Sequence, residues 1–296
     1  MSKEIKGIMP ALVTPLAKDG VSLNTDALKK LITYHKSQRA DGFYIAGATG
    51  EGLVLSMQTK KKLIEKSIEE IGNDALKIIH VADINFENTK YLAKYAKDCG
   101  ADAISAIPPI YFAYTQDDVY NYYKEIAAQV DIPLMMYYTP AANIELSTDL
   151  FARLAKIDNV TSVKWTMNNY YKLMELLAAT DKKMQIINGP DEMLICGLAA
   201  GVSGGIGSTY NIMLPWYKKI YECFKNGDNE TALEYQMRAN KVVSIILEFP
   251  VIPAVKVILE KMGFEVGNAT FPMKQLDDSE KAYLIDKVKK AGFVFE

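Results

Sequence analysis

Short apolar runs alternate with amphipathic helical stretches eight times between residues 8 and 206, and this rhythm narrows the possible folds more than any other feature of the chain. An apolar run of four to eight residues suits a strand buried on both faces, and helices between such strands bring them back parallel. The predicted strands cover 8–15, 42–48, 77–84, 103–107, 133–138, 160–166, 184–188 and 202–206. Between them the periodicity predicts helices near 25–37, 58–71, 87–99, 147–156, 170–180 and 191–200, and a further helix opened by Thr115-Gln116-Asp117-Asp118. Asn24 or Thr25, Thr115 and Ser147 are placed as N-caps, where a side-chain oxygen can accept an otherwise orphaned backbone N–H.

Eight β-then-α units are the number that closes a barrel. A doubly wound open sheet would more usually carry five to seven strands and a glycine fingerprint after the first, and none follows Pro15. The expected fold is therefore α/β, a (β/α)8 TIM barrel. From Pro215 onward the text becomes helical, with helices expected over 217–225, 230–246, 253–262 and 279–290. The expected organisation is a barrel over 1–214 carrying the active site and a helical extension over 215–296 packed on it.

Bulk properties exclude several classes of function. The 296 residues carry a formal net charge of -2, so no overall basic field invites nucleic acid or an anionic membrane. No apolar run is long enough to span a bilayer, and Met1-Ser2-Lys3-Glu4 lacks the charged-then-apolar pattern of a secretory leader. Cys99, Cys196 and Cys223 form no metal-ligand spacing and read as reduced and structural, which suits a cytoplasmic compartment. His35 and His80 stand far apart without ligand partners nearby in sequence, which argues against a metal site.

One strand carries a lysine near its C-terminal end: Val160-Thr161-Ser162-Val163-Lys164-Trp165-Thr166. A buried ammonium is costly, so such a lysine either pairs, lowers its pKa or snorkels to water. A lysine with a lowered pKa is a nucleophile that forms Schiff bases with carbonyl compounds. In a barrel, function lies at the C-terminal ends of the strands. Those ends supply Ala48 and Thr49, Tyr111, Tyr137 and Tyr138, Lys164 and Thr166, Gly189 with Asp191 and Glu192, and Gly207 with Ser208 and Thr209. Each has a plainer reading. Gly47-Ala48-Thr49-Gly50 is a tight turn or a nest of N–H groups for a carboxylate. Asp191 and Glu192 are first-turn charges or ligand contacts. Tyr137 and Tyr138 point to opposite faces of a strand, and the sequence barely says which faces inward.

Together these segments resemble the pyruvate-dependent class I aldolase family that includes dihydrodipicolinate synthase and N-acetylneuraminate lyase. The resemblance covers nearly the whole length. Gly47-Ala48-Thr49-Gly50-Glu51 is similar to the family's G-[ST]-[TS]-G-E loop, Tyr137-Tyr138-Thr139-Pro140 to its Y-x-x-P, and Val163-Lys164-Trp165-Thr166 to its Schiff-base strand. Asn188-Gly189-Pro190-Asp191-Glu192 and Gly204-Gly205-Ile206-Gly207-Ser208-Thr209-Tyr210-Asn211 resemble the lyase branch. The resemblance implies a homotetramer without metal or organic cofactor that acts on a 2-keto acid. It also implies that Lys164 forms the imine and Tyr137 moves the proton. Thr49 and the amides of 48 and 49 would hold the carboxylate. Thr166, Gly189, Asp191, Glu192 and Ser208 would hold sugar hydroxyls, and Tyr111 would complete a neighbouring subunit's site. Four places depart from the pattern. Ala48 replaces a hydroxyl residue, Met167-Asn168-Asn169 follows the lysine strand, Pro190 stands where an aromatic often precedes Asp191, and Ala141-Ala142-Asn143-Ile144 follows Pro140 without the arginine of the synthase branch.

Overall fold

Eight parallel strands wind into a barrel in a computed structural model that describes residues 4–181 and 183–295. They are β1 (Gly7–Pro10), β2 (Gly42–Ile45), β3 (Leu76–His80), β4 (Ala103–Ala106), β5 (Leu134–Tyr138), β6 (Val160–Trp165), β7 (Gln185–Asn188) and β8 (Gly204–Gly207). The hydrogen-bonded order β1-β8-β7-β6-β5-β4-β3-β2 is closed by a single parallel bridge between Ala11 and Tyr44. The helices α1 (Thr25–Ser37), α2 (Met57–Ile71), α3 (Phe86–Cys99), α4 (Gln116–Ala127), α5 (Thr148–Leu154), α6 (Tyr170–Ala179) and α7 (Leu194–Ala200) return the chain between strands. Of the expected leader-free start, Met1 to Lys3 lie outside the described residues.

The strands read as continuous apolar runs because the barrel wall separates two cores. Alternate side chains such as Met9, Tyr44, Ile78, Met135, Ile187 and Ile206 fill the interior. The intervening Ile8, Phe43, Ile79, Met136, Val163 and Ile186 pack outward against the helices. Close approach is met by glycine where it is needed. A Cβ on Gly204 would lie 2.0 Å from the carbonyl oxygen of Gly7, so only glycine lets β8 close against β1 at that point.

Local capping explains the helix starts. The Asn24 side chain accepts the Ala27 N–H, Thr115 and Asp118 form a reciprocal capping box, and Ser147 accepts the Leu150 N–H. The observed strands are shorter than the apolar runs suggest. β1 stops at Pro10 and β3 at His80. The apolar residues beyond, such as Leu12, Val13, Val81 and Ala82, are buried, and Leu12 and Val81 each still donate one backbone bond to a neighbouring strand, to Tyr44 O (2.9 Å) and Ser105 O (2.8 Å). The expected helix 191–200 opens as a 3₁₀ turn, Asp191–Met193, before α7.

The helical region begins earlier than Pro215. Helix α8 (Tyr210–Lys225) starts directly after the glycine-rich segment and carries Pro215 inside it, with a break at Met213 (φ -127, ψ 27). The break accommodates the missing proline N–H and its ring. Helices α9 (Asn229–Ile246), α10 (Val251–Lys261) and α11 (Asp278–Lys290) complete the chain. All three cysteines are helical and free, but Cys196 is exposed, so a packing role is limited to Cys99 and Cys223.

One buried ion pair joins the C-terminal helices to the barrel. Lys256 on α10 meets Glu51, in the loop after β2, at 2.7 Å, with side-chain exposures of 2% and 0%. Glu51 also accepts the Thr270 N–H, and Lys256 donates to the Asn268 carbonyl (2.9 Å). Among the described residues no single helix is long and apolar enough to cross a membrane.

Candidate active site

Lys164 points into the barrel near the C-terminal end of β6, directly across from Tyr137 on β5 in the strand register. It is 4% exposed and forms no ion pair among the described residues. Its Nζ lies 4.2 Å from the centre of the Tyr137 ring. The two tyrosines of β5 therefore divide as a strand requires. Tyr137 shares the interior with Lys164. Tyr138 packs outward on Phe151 and Trp165, and its hydroxyl accepts the Leu146 N–H (3.2 Å).

Three further polar groups, which the sequence reading did not single out, share this interior. They are Tyr44 on β2, His80 on β3 and Ser105 on β4. Tyr44 Oη is hydrogen-bonded to Ser105 Oγ (2.9 Å), and its ring meets Tyr137 and His80 with centroids 6.1 and 6.2 Å apart. Burial, helped by the charges of Lys60 and Lys164, pushes the His80 pKa down to about 3. His80 is thus neutral at physiological pH, and its Nε2 accepts the Ile107 N–H (3.2 Å). The available signal was strand alternation. On a strand whose inner positions are otherwise apolar, a buried Tyr, His or Ser marks a polar patch in the interior.

The loop after β2 forms the second part of the site. Its fold is pinned three times: Thr14 Oγ1 donates to the Gly50 carbonyl (2.6 Å), Glu51 N–H to Ala48 O (3.0 Å), and Gly52 N–H to Gly47 O (3.0 Å). Thr49 is buried, and its hydroxyl meets Ser208 Oγ at 2.6 Å, joining this loop to the end of β8. Ala48 beside it is exposed. Asn211 stitches the same corner. Its amide donates to Ala11 O (2.7 Å) and Ser208 O (2.8 Å), and its carbonyl accepts Val13 N–H (3.2 Å).

On the other side, Thr166 lies against Gly189. A Cβ at 189 would come within 1.9 Å of Thr166 Oγ1, so glycine is required for that hydroxyl to sit there. Thr166 Oγ1 is buried without a hydrogen-bond partner among the described residues. Asp191 accepts both the Thr209 N–H (2.7 Å) and the Thr209 hydroxyl (2.6 Å) on Oδ2, while Oδ1 faces Gly207 at the spot a Cβ would occupy. The structure thus brings together Lys164 with Tyr137, Thr49 with Ser208, Thr166 with Gly189, and Asp191 with Gly207. Glu192 is half-buried beside them. Tyr111 is not part of this cluster: it is 85% exposed, at φ 89, and stacks edge-on with Phe112.

Burial raises the Asp191 carboxyl to about pH 6, although the Thr209 hydrogen bonds oppose the shift. A pKa raised in the folded state means the native protein binds more protons than the unfolded chain between pH 4 and 6. Stability is therefore expected to fall as pH rises through that window, by roughly 3 kcal/mol for a shift from 3.8 to about 6, and to level off above it. Asp191→Asn keeps an acceptor for Thr209. Urea unfolding at pH 4.5 and pH 7 is expected to show this component of the pH slope in the wild type and lose it in the variant.

The model of the Dihydrodipicolinate synthetase family matches residues 4–291. The chain belongs to this family. Within it, an N-acetylneuraminate lyase of Clostridium perfringens is 34% identical over 287 residues, spanning 96% of this chain and 99% of that protein. CdNal from Clostridium difficile, solved in complex with mannosamine, superposes with a TM-score of 0.94 at 32% identity, covering 98% of this chain and 100% of that one. A sialic acid aldolase of Ruminococcus gnavus superposes at 0.92 with 28% identity, covering 98% of this chain and 99% of that one, and that enzyme has also been solved as a catalytic lysine mutant. Family membership accounts for the barrel and the helices that follow it.

Proposed function

We propose that the chain is a Schiff-base-forming class I aldolase, a carbon–carbon lyase, that cleaves N-acetylneuraminate or a similar 2-keto acid sugar to pyruvate and an aldehyde, N-acetylmannosamine for the named substrate. The observation that carries this reading is a buried lysine without a carboxylate partner, held beside Tyr137 at the catalytic end of a barrel whose relatives bear the lyase name.

Lys164 Nζ attacks the keto carbon as the neutral amine, Tyr137 gives its proton to the departing hydroxyl, water leaves, and a protonated imine results. The Tyr137 phenolate then takes the proton from the hydroxyl on C4. The C3–C4 bond breaks, the aldehyde departs, and the electron pair moves into the iminium to give an enamine. Tyr137 returns a proton to C3, and water releases pyruvate. The lysine supplies the electron sink, so no metal or organic cofactor is required. The buried Thr49 hydroxyl with the amides of 48 and 49 holds the carboxylate, which fixes the keto carbon next to Lys164. Thr166, Gly189, Asp191, Glu192, Gly207 and Ser208 form the side of the crevice that receives the hydroxylated chain. The unpartnered Thr166 hydroxyl supports that assignment, because a ligand would satisfy it.

We further assign the protein to a cytoplasmic homotetramer in which the exposed Tyr111 completes a neighbour's site, with residues 1–214 as the catalytic unit and 215–296 as its support. Pyruvate release from a panel of six- and nine-carbon keto acids, followed by a coupled reductase assay, tests the substrate. Release from N-acetylneuraminate is expected, and none from any member would refute the lyase reading.

Ala48 favours a second reading, a keto-acid-binding homologue with weak turnover, because one hydroxyl that would bond the carboxylate is missing. A charge-assisted hydrogen bond contributes about 1.5–3 kcal/mol when well placed. Ala48→Ser is expected to lower KM for the keto acid by up to about tenfold, since the exposed position lets water supply part of that bond. A much larger rise in kcat would support the damaged-site reading instead.

A further inference from the structure

Lys164 Nζ occupies the angle between two aromatic faces. It lies 4.2 Å from the centroid of Tyr137 and 4.5 Å from that of Tyr44, and the two rings meet at 78° with centroids 6.1 Å apart. Tyr44 is fully buried and fixed at both ends, by the Ser105 hydroxyl at Oη and by His80 against the ring. The groups facing Lys164 from the surrounding strands are Tyr44 (β2), neutral His80 (β3), Ser105 (β4), Tyr137 (β5) and apolar Ile187 (β7). The Asp191 carboxyl acts on it from beyond β7 without pairing.

We propose that Tyr44 is a positioning residue for Lys164, whose ring face, together with that of Tyr137, favours positive charge on the lysine nitrogen, in the ammonium and again in the protonated imine. The inference rests on the Schiff-base reading above. When the nitrogen bonds to the keto carbon and the carbonyl oxygen leaves as water, the positive charge stays on the same nitrogen. A ring quadrupole attracts that charge from one side and leaves the attacking direction open. A carboxylate in contact would take up the N–H groups and compete with the substrate's own carboxylate for the site. The aromatic angle supplies support for the charge without that competition. It also explains why strand β2, which bears no group that reacts, carries a tyrosine inward.

The test is borohydride trapping of the pyruvate adduct across pH, with wild type, Tyr44→Leu, Tyr44→Phe and Tyr44→pentafluorophenylalanine. Losing the attractive face disfavours the ammonium, so the limb on which the lysine becomes nucleophilic is expected to move to lower pH by roughly one unit in Tyr44→Leu. Tyr44→Phe keeps the face and is expected to keep the limb. The pentafluoro ring has nearly the same shape with the quadrupole reversed. It is expected to shift the limb as the leucine does, which keeps the proposal testable if Tyr44→Leu fails to fold. An unmoved limb in the leucine and pentafluoro variants overturns the proposal. A shift in Tyr44→Phe as large as theirs also overturns it, because the Ser105 contact would then be what matters. Absence of any adduct on the wild type refutes the Schiff-base reading and this inference with it, whereas a wild-type adduct with an unmoved limb refutes this inference alone.

Discussion

Lys164→Met is expected to abolish turnover, by on the order of 10⁴-fold or more, while leaving the protein as stable as before or more so. The loss follows from chemistry. Without the amine no imine forms, and the remaining contacts in the site bind substrate without an electron sink. The gain in stability follows from burial. Lys164 is 4% exposed, lies against two aromatic faces and has no ion-pair partner among the described residues. Methionine has similar length and no charge to desolvate, and such replacements at strained functional positions commonly raise stability by about 0.5–2 kcal/mol. Steady-state kinetics and thermal melts on the same preparation check both halves. A variant that loses activity and stability together would assign the lysine a structural role.

The second large effect concerns stability rather than chemistry. Glu51→Leu leaves the Lys256 ammonium, 2% exposed, without its carboxylate. Burial already lowers the Lys256 pKa against the pull of Glu51, so the position tolerates the charge poorly. Breaking a buried pair on one side costs about 3–5 kcal/mol. For a chain of this size that corresponds to a fall in Tm of roughly 5–8 °C. Replacing both partners, Glu51→Leu with Lys256→Met, is expected to recover much of the loss, because no unpaired charge remains. A simple sum of the two single losses in the double variant would contradict the account. The pair also links the C-terminal helices to the loop that carries Thr49, two residues before Glu51. Some of the loss in the single variant is therefore expected to appear as a raised KM for the keto acid.

The fold was legible because its signal is repeated. Eight apolar runs with helical spacers fix a parallel sheet even when the ends of individual runs are misplaced. The misplaced ends share one cause: Leu12, Val13, Val81 and Ala82 are as buried as strand residues and pack in the same core as the outward-facing strand side chains, although they lie beyond the ends of β1 and β3. The early start of α8 was hidden because Pro215 reads as a boundary, whereas the helix absorbs it with a break at Met213. In the site, Lys164, Tyr137 and Thr49 stood out because their residue types carry chemistry at strand ends. Tyr44, His80 and Ser105 did not, because each is an ordinary strand residue by itself. Only closure of the barrel brings β2, β3 and β4 opposite β6. The pairing of Glu51 with Lys256, more than two hundred positions apart, has no local signal at all.

Incubation with pyruvate followed by borohydride reduction and peptide mass mapping tests the central claim most directly. The account predicts one stable pyruvate-sized adduct per chain, on the peptide containing Lys164, and none in Lys164→Met. A folded protein that gains no adduct, or gains it on another lysine, would contradict the assignment of Lys164 as the imine-forming residue.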